Sequence, residues 1–260
     1  MKTKQPKRRV NIVSTDPEWE AMKAARRNLD HDGAVQLVFF LQQQYRRQWS
    51  DRMAASPVDL NVILKTLTQK RIAFVLTGAH GIAGWTRTPR STEDVDILVK
   101  GGRNHARAVK ALKELYPELE VRDHAGVVAF SVPGERASVI DVTYPHRADI
   151  AETLANPTWT ENREHGLRYR IPSLEAALAN KYGAMLALTR QLDKRMVDAV
   201  DFMRMVVHSS DEGCQAIDLQ QLESLGEKVW PGGGGTEILR LVETVKAGKT
   251  INIDALHKLA

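Results

Sequence analysis

Two aspartates, Asp94 and Asp96, stand at the mouth of the apolar run Val95-Asp-Ile-Leu-Val99, and that placement narrows the folds open to the chain. The run is closed by Gly101-Gly102 and reads as a buried strand. Residues two apart in a strand project to the same side, so both carboxylates lie together at a sheet margin. Burying them unpaired is costly, which predicts a cation between them. Other acid-x-acid pairs include Glu18/Glu20, Asp30/Asp32 and Glu118/Glu120. The first lies in a helical stretch, where residues two apart do not face each other. The other two sit in or beside polar breaks, where exposed acids are ordinary.

A third acid, Asp141, interrupts the apolar stretch Ser138-Val-Ile-Asp-Val-Thr143. Either it pairs with an arginine, or it joins Asp94 and Asp96 from a neighbouring strand. Three inward carboxylates suit a hard, oxygen-loving cation such as Mg²⁺ (or Mn²⁺). Two such ions side by side clamp an in-line phosphoryl displacement.

The rest of the pattern supplies the frame. Thr15-Asp-Pro-Glu18 reads as a helix start, the helix running to about Leu29, and a second is expected from Ala34 to about Met53. Val58 to Gln69 carries apolar residues at helical spacing, and Ile72 to Thr77 is a short buried strand. Asn104 to Tyr116 is amphipathic. Gly126 to Val132 and Ala137 to Tyr144 flank the turn dipeptide Pro133-Gly134 as a hairpin. After Pro145 the chain is expected to be helical: Pro172 to about Thr189, Asp193 to His208, Leu219 to Trp230 and Thr236 to Lys246. The glycines Gly232 to Gly235 read as a hinge or linker, because no Lys-Ser/Thr follows them as a phosphate loop requires. The expectation is an α/β (α+β) chain with a small mixed sheet covered by helices. It divides into a basic N-terminal arm and helical extension (1–55), a core (56–150) and a helical C-terminal region (151–260).

Between the first strand and the acids lies Gly78-Ala79-His80-Gly81, followed by Trp85-Thr-Arg-Thr-Pro-Arg-Ser-Thr92. Glycine lets backbone N–H groups approach phosphate. Arg87 and Arg90 are candidates for triphosphate oxygens; Arg90 equally suits neutralising the carboxylates. His80 reads either as a phosphate contact or as a surface histidine. Trp85 reads either as a nucleobase platform or as a loop anchor.

Composition closes other routes. No apolar run approaches the roughly 20 residues of a membrane span, and no apolar signal segment follows the basic start, so the chain reads as cytoplasmic. The single cysteine, Cys214, excludes a disulfide framework or a multi-cysteine zinc site. Neither a His-Glu-x-x-His pair nor a Gly-x-Ser-x-Gly elbow is present. The net charge of +5 permits nucleic acid or nucleotide phosphates as partners without requiring them. Lys2, Lys4, Lys7, Arg8 and Arg9 form either a solvated tail or an arm that touches nucleic-acid phosphates.

Taken together, Gly78-Ala79, then Arg90-x-Thr92-x-Asp94-x-Asp96 entering a strand, then a lone strand aspartate at Asp141, resemble the nucleotidyltransferase superfamily, the DNA polymerase β-like fold. Pro172 to Lys181, with Arg190 and Lys194 to Asp201, resembles the helices after the core in its minimal toxin–antitoxin and abortive-infection members. The resemblance spans roughly residues 57 to 206. It implies that Asp94 and Asp96 hold metals that bind a nucleoside triphosphate. Asp141 would hold the metal nearest the acceptor hydroxyl or act as its base. It further implies that Gly78, Ala79, Arg90, Thr92, Lys181 and Arg190 contact the nucleotide, with two Mg²⁺ (or Mn²⁺) ions at the acids. Ala79 departs from the family's usual Gly or Ser and lacks a hydroxyl there.

The implied function is transfer of a nucleoside monophosphate from an NTP such as ATP to a hydroxyl on RNA or tRNA, a protein or a small molecule. A toxin- or defence-related role with a toxin–antitoxin partner goes with the resemblance, and no membrane does. The alternatives are a catalytically silent binding protein on the same fold (an antitoxin or pseudoenzyme) and a nucleic-acid-binding protein.

Overall fold

The computed structural model of the protein describes residues 29–50, 58–88, 92, 94–124, 126–211 and 214–257. The helix expected from Thr15 to Leu29, the basic cluster at Lys2 to Arg9, and Arg90 lie outside these residues. Helix α1 (His31–Ser50) comes first and places Val35, Val38 and Phe39 in the core. Helix α2 (Leu60–Gln69) follows, started by the carboxylate of Asp59, which accepts from the backbone N–H groups of Asn61 and Val62. It buries Leu60, Ile63, Leu64 and Leu67 at the helical repeat.

The sheet is built from β1 (Phe74–Leu76), β2 (Val95–Val99), β3 (Glu120–His124), β4 (Val127–Ser131) and β5 (Ser138–Thr143) in the spatial order β1-β2-β5-β4-β3. Pairing is antiparallel except between β2 and β5, which run parallel. Two one-turn helices, α3 (Gly78–Gly81) and α4 (Ala83–Thr86), lie between β1 and β2, and α5 (Arg103–Leu115) follows β2. The mixed sheet and the β4–β5 hairpin match the sequence pattern. Strand β3 is absent from that pattern, and the reason is compositional. Its residues are Glu-Val-Arg-Asp-His at the edge of the sheet, none of them buried. A charged edge strand carries no apolar period and discourages further pairing.

The region after Pro145 is not wholly helical. Following α6 (Ala148–Ala155), β6 (Pro157–Asn162) and β7 (Leu167–Pro172) form a separate antiparallel ribbon with Trp159 opposite Arg170. Only β7 has the alternation of a half-buried strand, through Leu167, Tyr169 and Ile171. The inward positions of β6 are Thr160 and Asn162, so its period-2 signal is polar and invisible to hydropathy. Helices α7 (Leu174–Leu186), α8 (Leu192–His208), α9 (Leu219–Val229) and α10 (Gly234–Lys246) come next, then a 3₁₀ turn at Ile253–Ala255.

Apolar side chains form two clusters. One joins α1, α2, α5, β7 and the sheet; the other joins α7 to α10 around the fully buried Tyr182 and Phe202. Burying an aliphatic or aromatic side chain contributes ~1.5–3 kcal/mol. Trp85 packs against both clusters, and its Nε1 donates to the carbonyl of Pro172 at 2.9 Å. It is thus an anchor between the two cores.

The glycine run corrects the hinge expectation. A Cβ on Gly234 would lie 2.1 Å from the backbone oxygen of Gly226, and one on Gly226 would lie 2.5 Å from Ile238. Helices α9 and α10 therefore touch backbone to backbone here. Glu227 grips the turn by accepting from the N–H groups of Gly232 and Gly235. No described helix is long and apolar enough to cross a membrane.

Candidate metal centre and cleft

The parallel pairing of β2 with β5 sets Asp96 directly beside Asp141. Asp94, one residue before β2, completes the group: one carboxylate oxygen from each of the three lies within 4.8 Å of the others. The Thr92 hydroxyl donates to Asp94 Oδ1 and orients it. Like charges this close raise one another's pKa. Burial, then Asp94 and Asp141, push Asp96 up to about 7, against the pull of Lys181 and Arg190. Burial also lifts Asp141, with Asp94 adding to it and Ser138 and His124 opposing.

Asp141 Oδ1 is buried and accepts no hydrogen bond. Buried carboxylate oxygens are normally satisfied, so an orphan facing two other acids fits a cation. The donor set is all oxygen, as a hard divalent ion prefers. The residues therefore fit the metal that the sequence pattern implies.

Gly78 is fixed by Asp96. The chain leaves β1 with Thr77 N–H donating to the carbonyl of Asp96 at 2.9 Å, then turns at Gly78 with φ 59°. A Cβ there would lie 1.8 Å from Asp96 Oδ2. Only glycine provides both the left-handed backbone and the space. Ala79 is buried at 6% exposure within α3. His80 is buried at 3% exposure, which corrects the surface-histidine expectation.

A cleft of about 240 Å³ opens beside Asp96. Its sheet side is Thr77, Gly78, Asp96, Leu98 and Thr143, and its helical side includes Asn180, Lys181 and Arg190. Lys181 Nζ donates to Asp198 Oδ1 and Asp201 Oδ2, both at 2.8 Å, and Arg190 Nε to Asp198 Oδ2 at 2.6 Å. Asp198 and Asp201 are three apart on α8 and so share a face; both are buried. They hold the two cations at the cleft wall. The sequence singles out the cations without these partners. The signal for them is the i,i+3 pair of acids within an apolar helix segment.

Not every expected contact forms. Arg87 turns to Asp211 at 3.4 Å and lines a different cavity, of about 390 Å³, with His31, Trp85 and Trp159. That cavity is larger, yet none of Asp94, Asp96 and Asp141 reaches it. Trp85 likewise faces it rather than the cleft, which removes the nucleobase role. The structure brings Asp94, Asp96, Asp141, Gly78 and Thr92 together, with Lys181 and Arg190 across the cleft.

No family model matches the sequence, and no curated protein matches it. Solved structures similar to it include a nucleotidyltransferase-like antigenic protein from Paracoccidioides brasiliensis, at 18% identity, covering 77% of this chain and 92% of that one with a TM-score of 0.45. ANT(2″)-Ia in complex with adenylyl-2″-tobramycin is similar at 15% identity over 73% of this chain and 95% of that one, TM-score 0.40. JHP933 from Helicobacter pylori is similar at 16% identity over 72% and 84%, TM-score 0.37. The chain is thus similar to nucleotidyltransferase-like structures at low identity, and its functional reading rests on the carboxylates themselves.

Proposed function

We propose that the protein is a metal-dependent nucleotidyltransferase of the DNA polymerase β-like fold, moving a nucleoside monophosphate from an NTP to a hydroxyl acceptor. The observation that carries this is the pairing of Asp96 with Asp141 across β2 and β5, with Asp94 within reach of both. Asp94, Asp96 and Asp141 would hold two Mg²⁺ (or Mn²⁺) ions. When bound, such ions neutralise phosphate charge and acidify the attacking hydroxyl.

The chain's own residues do the rest. Lys181 and Arg190, pinned by Asp198 and Asp201, place positive charge across the cleft from the acids, where the triphosphate oxygens lie. Pinned cations need no reorganisation when negative charge builds up on the leaving group. Gly78 keeps side chains away from Asp96 Oδ2, and Thr92 orients Asp94. The acceptor oxygen bonds to the α-phosphorus, the bridging P–O bond to the β-phosphate breaks, and pyrophosphate leaves with the electron pair. Asp141 takes the hydroxyl proton. Ala79 contributes its backbone N–H to phosphate without the hydroxyl.

RNA or tRNA ends, protein side chains and small molecules are the acceptor classes, and a toxin- or defence-related role accompanies them. The test is incubation with each α-labelled NTP, Mg²⁺, and cellular RNA and protein. Label should move to one acceptor class, and Asp96→Asn or Asp141→Asn should abolish it. Equal labelling by the Asp96→Asn protein would overturn the assignment of the acids, and no labelling by the wild type with any NTP would leave a silent binding module on this fold.

A further inference from the structure

Helix α8 packs one side into the second core, where Asp198 and Asp201 also lie. Its other side is apolar and open: Met196 is 56% exposed, Val200 39% and Val207 52%. At 100° per residue, Asp193, Met196, Val200, Arg204 and Val207 fall on one stripe about 80° wide. A stripe of exposed Met and Val at helical spacing marks a surface that is covered in the working molecule.

The two charges on the stripe say what covers it. Asp193 lies near its N-terminal end and Arg204 towards its C-terminal end, and among the described residues neither forms an ion pair in its own chain. A two-fold axis level with Val200, perpendicular to the helix, brings a second α8 alongside in the opposite direction. Positions equally far before and after Val200 then face each other, so Val200 meets Val200 and the two exposed Met196 side chains flank the pair. Both charges lie on the same side of the stripe, and the operation keeps that side. Asp193 of one copy and Arg204 of the other end about 4.5 Å apart along the helix direction, from a rise of about 1.5 Å per residue. The stripe is complementary to itself in charge as well as in apolarity, and the antiparallel helix dipoles favour the same arrangement.

We propose that α8 is the contact through which two copies of this chain associate, antiparallel about a two-fold axis at Val200. This interface is isologous. It buttresses the helix whose buried side holds Lys181 and Arg190, and it stands independently of the catalytic reading.

Sedimentation velocity on the full chain across micromolar concentrations tests it. The wild type sediments as a dimer, and Val200→Glu gives a monomer. Asp193→Arg and Arg204→Asp each raise the dissociation constant about tenfold, because each disrupts two symmetric pairs. Combining the two reversals in one chain returns it to within about threefold of the wild type. All three positions lie on the outer side of the helix, and matching circular dichroism melts verify that each variant folds. A wild-type monomer at every concentration overturns the proposal. So does a dimer that survives Val200→Glu, or a double reversal no tighter than the single ones.

Discussion

Replacing Gly78 by alanine separates the backbone role of that residue from its role beside the acids. Gly78 adopts φ 59°, a conformation that costs an L-residue about 1–2 kcal/mol. The new Cβ would stand 1.8 Å from Asp96 Oδ2, where ordinary van der Waals contact begins at 3.4 Å, so the carboxylate must retreat by about 1.6 Å. A misplacement of about 1 Å at reacting groups costs on the order of 100-fold in rate, or about 2.7 kcal/mol in the barrier. Gly166→Ala is the control, since Gly166 has φ 57° and a Cβ there would meet nothing within 4 Å. Both variants should lose about 1–2 kcal/mol in urea unfolding from the backbone conformation, and Gly78→Ala more because of the clash. Only Gly78→Ala should also weaken Mn²⁺ binding, read by electron paramagnetic resonance, and lower transfer about 100-fold. Wild-type Mn²⁺ affinity and transfer by Gly78→Ala protein would refute the claim that this glycine exists to make room for Asp96.

Three other contacts have measurable consequences. Lys181→Met removes the ammonium that the buried Asp198 and Asp201 share and should destabilise the fold by about 3–5 kcal/mol; adding Asp198→Asn and Asp201→Asn should recover most of that loss in urea titrations. Glu227 is held below its ordinary range by the N–H groups of Gly232, Gly235 and Gly233. Its contribution is present above the ordinary Glu pKa and disappears as pH falls through the lowered folded value, so Glu227→Gln should flatten thermal stability against pH on the acid side. Gly234→Ala drives a methyl into the backbone of α9 and should cost about 1–3 kcal/mol; a neutral outcome in thermal unfolding would restore the hinge reading of that run.

The sequence alone singled out the acids. Asp96 and Asp141 each interrupt an apolar strand, and the cost of burying charge makes such residues conspicuous whatever the fold around them. The helices were legible for a related reason: α2, α9 and α10 each bury one face, and a 3.6-residue period survives in the sequence. Only the tertiary structure decided which residues meet. That Asp96 sits opposite Asp141 depends on the parallel register of β2 and β5, a contact across 45 positions that no local pattern records. The same holds for Arg87, which lies near the acids along the chain but which Asp211 draws away. It holds as well for β3 and β6, whose polar residues take their strand geometry from neighbours rather than from any periodicity of their own. Gly78 shows the division within one residue. Its identity suggested a close approach of backbone to phosphate, but the carboxylate that excludes any side chain there belongs to a different strand, and only folding brings it near.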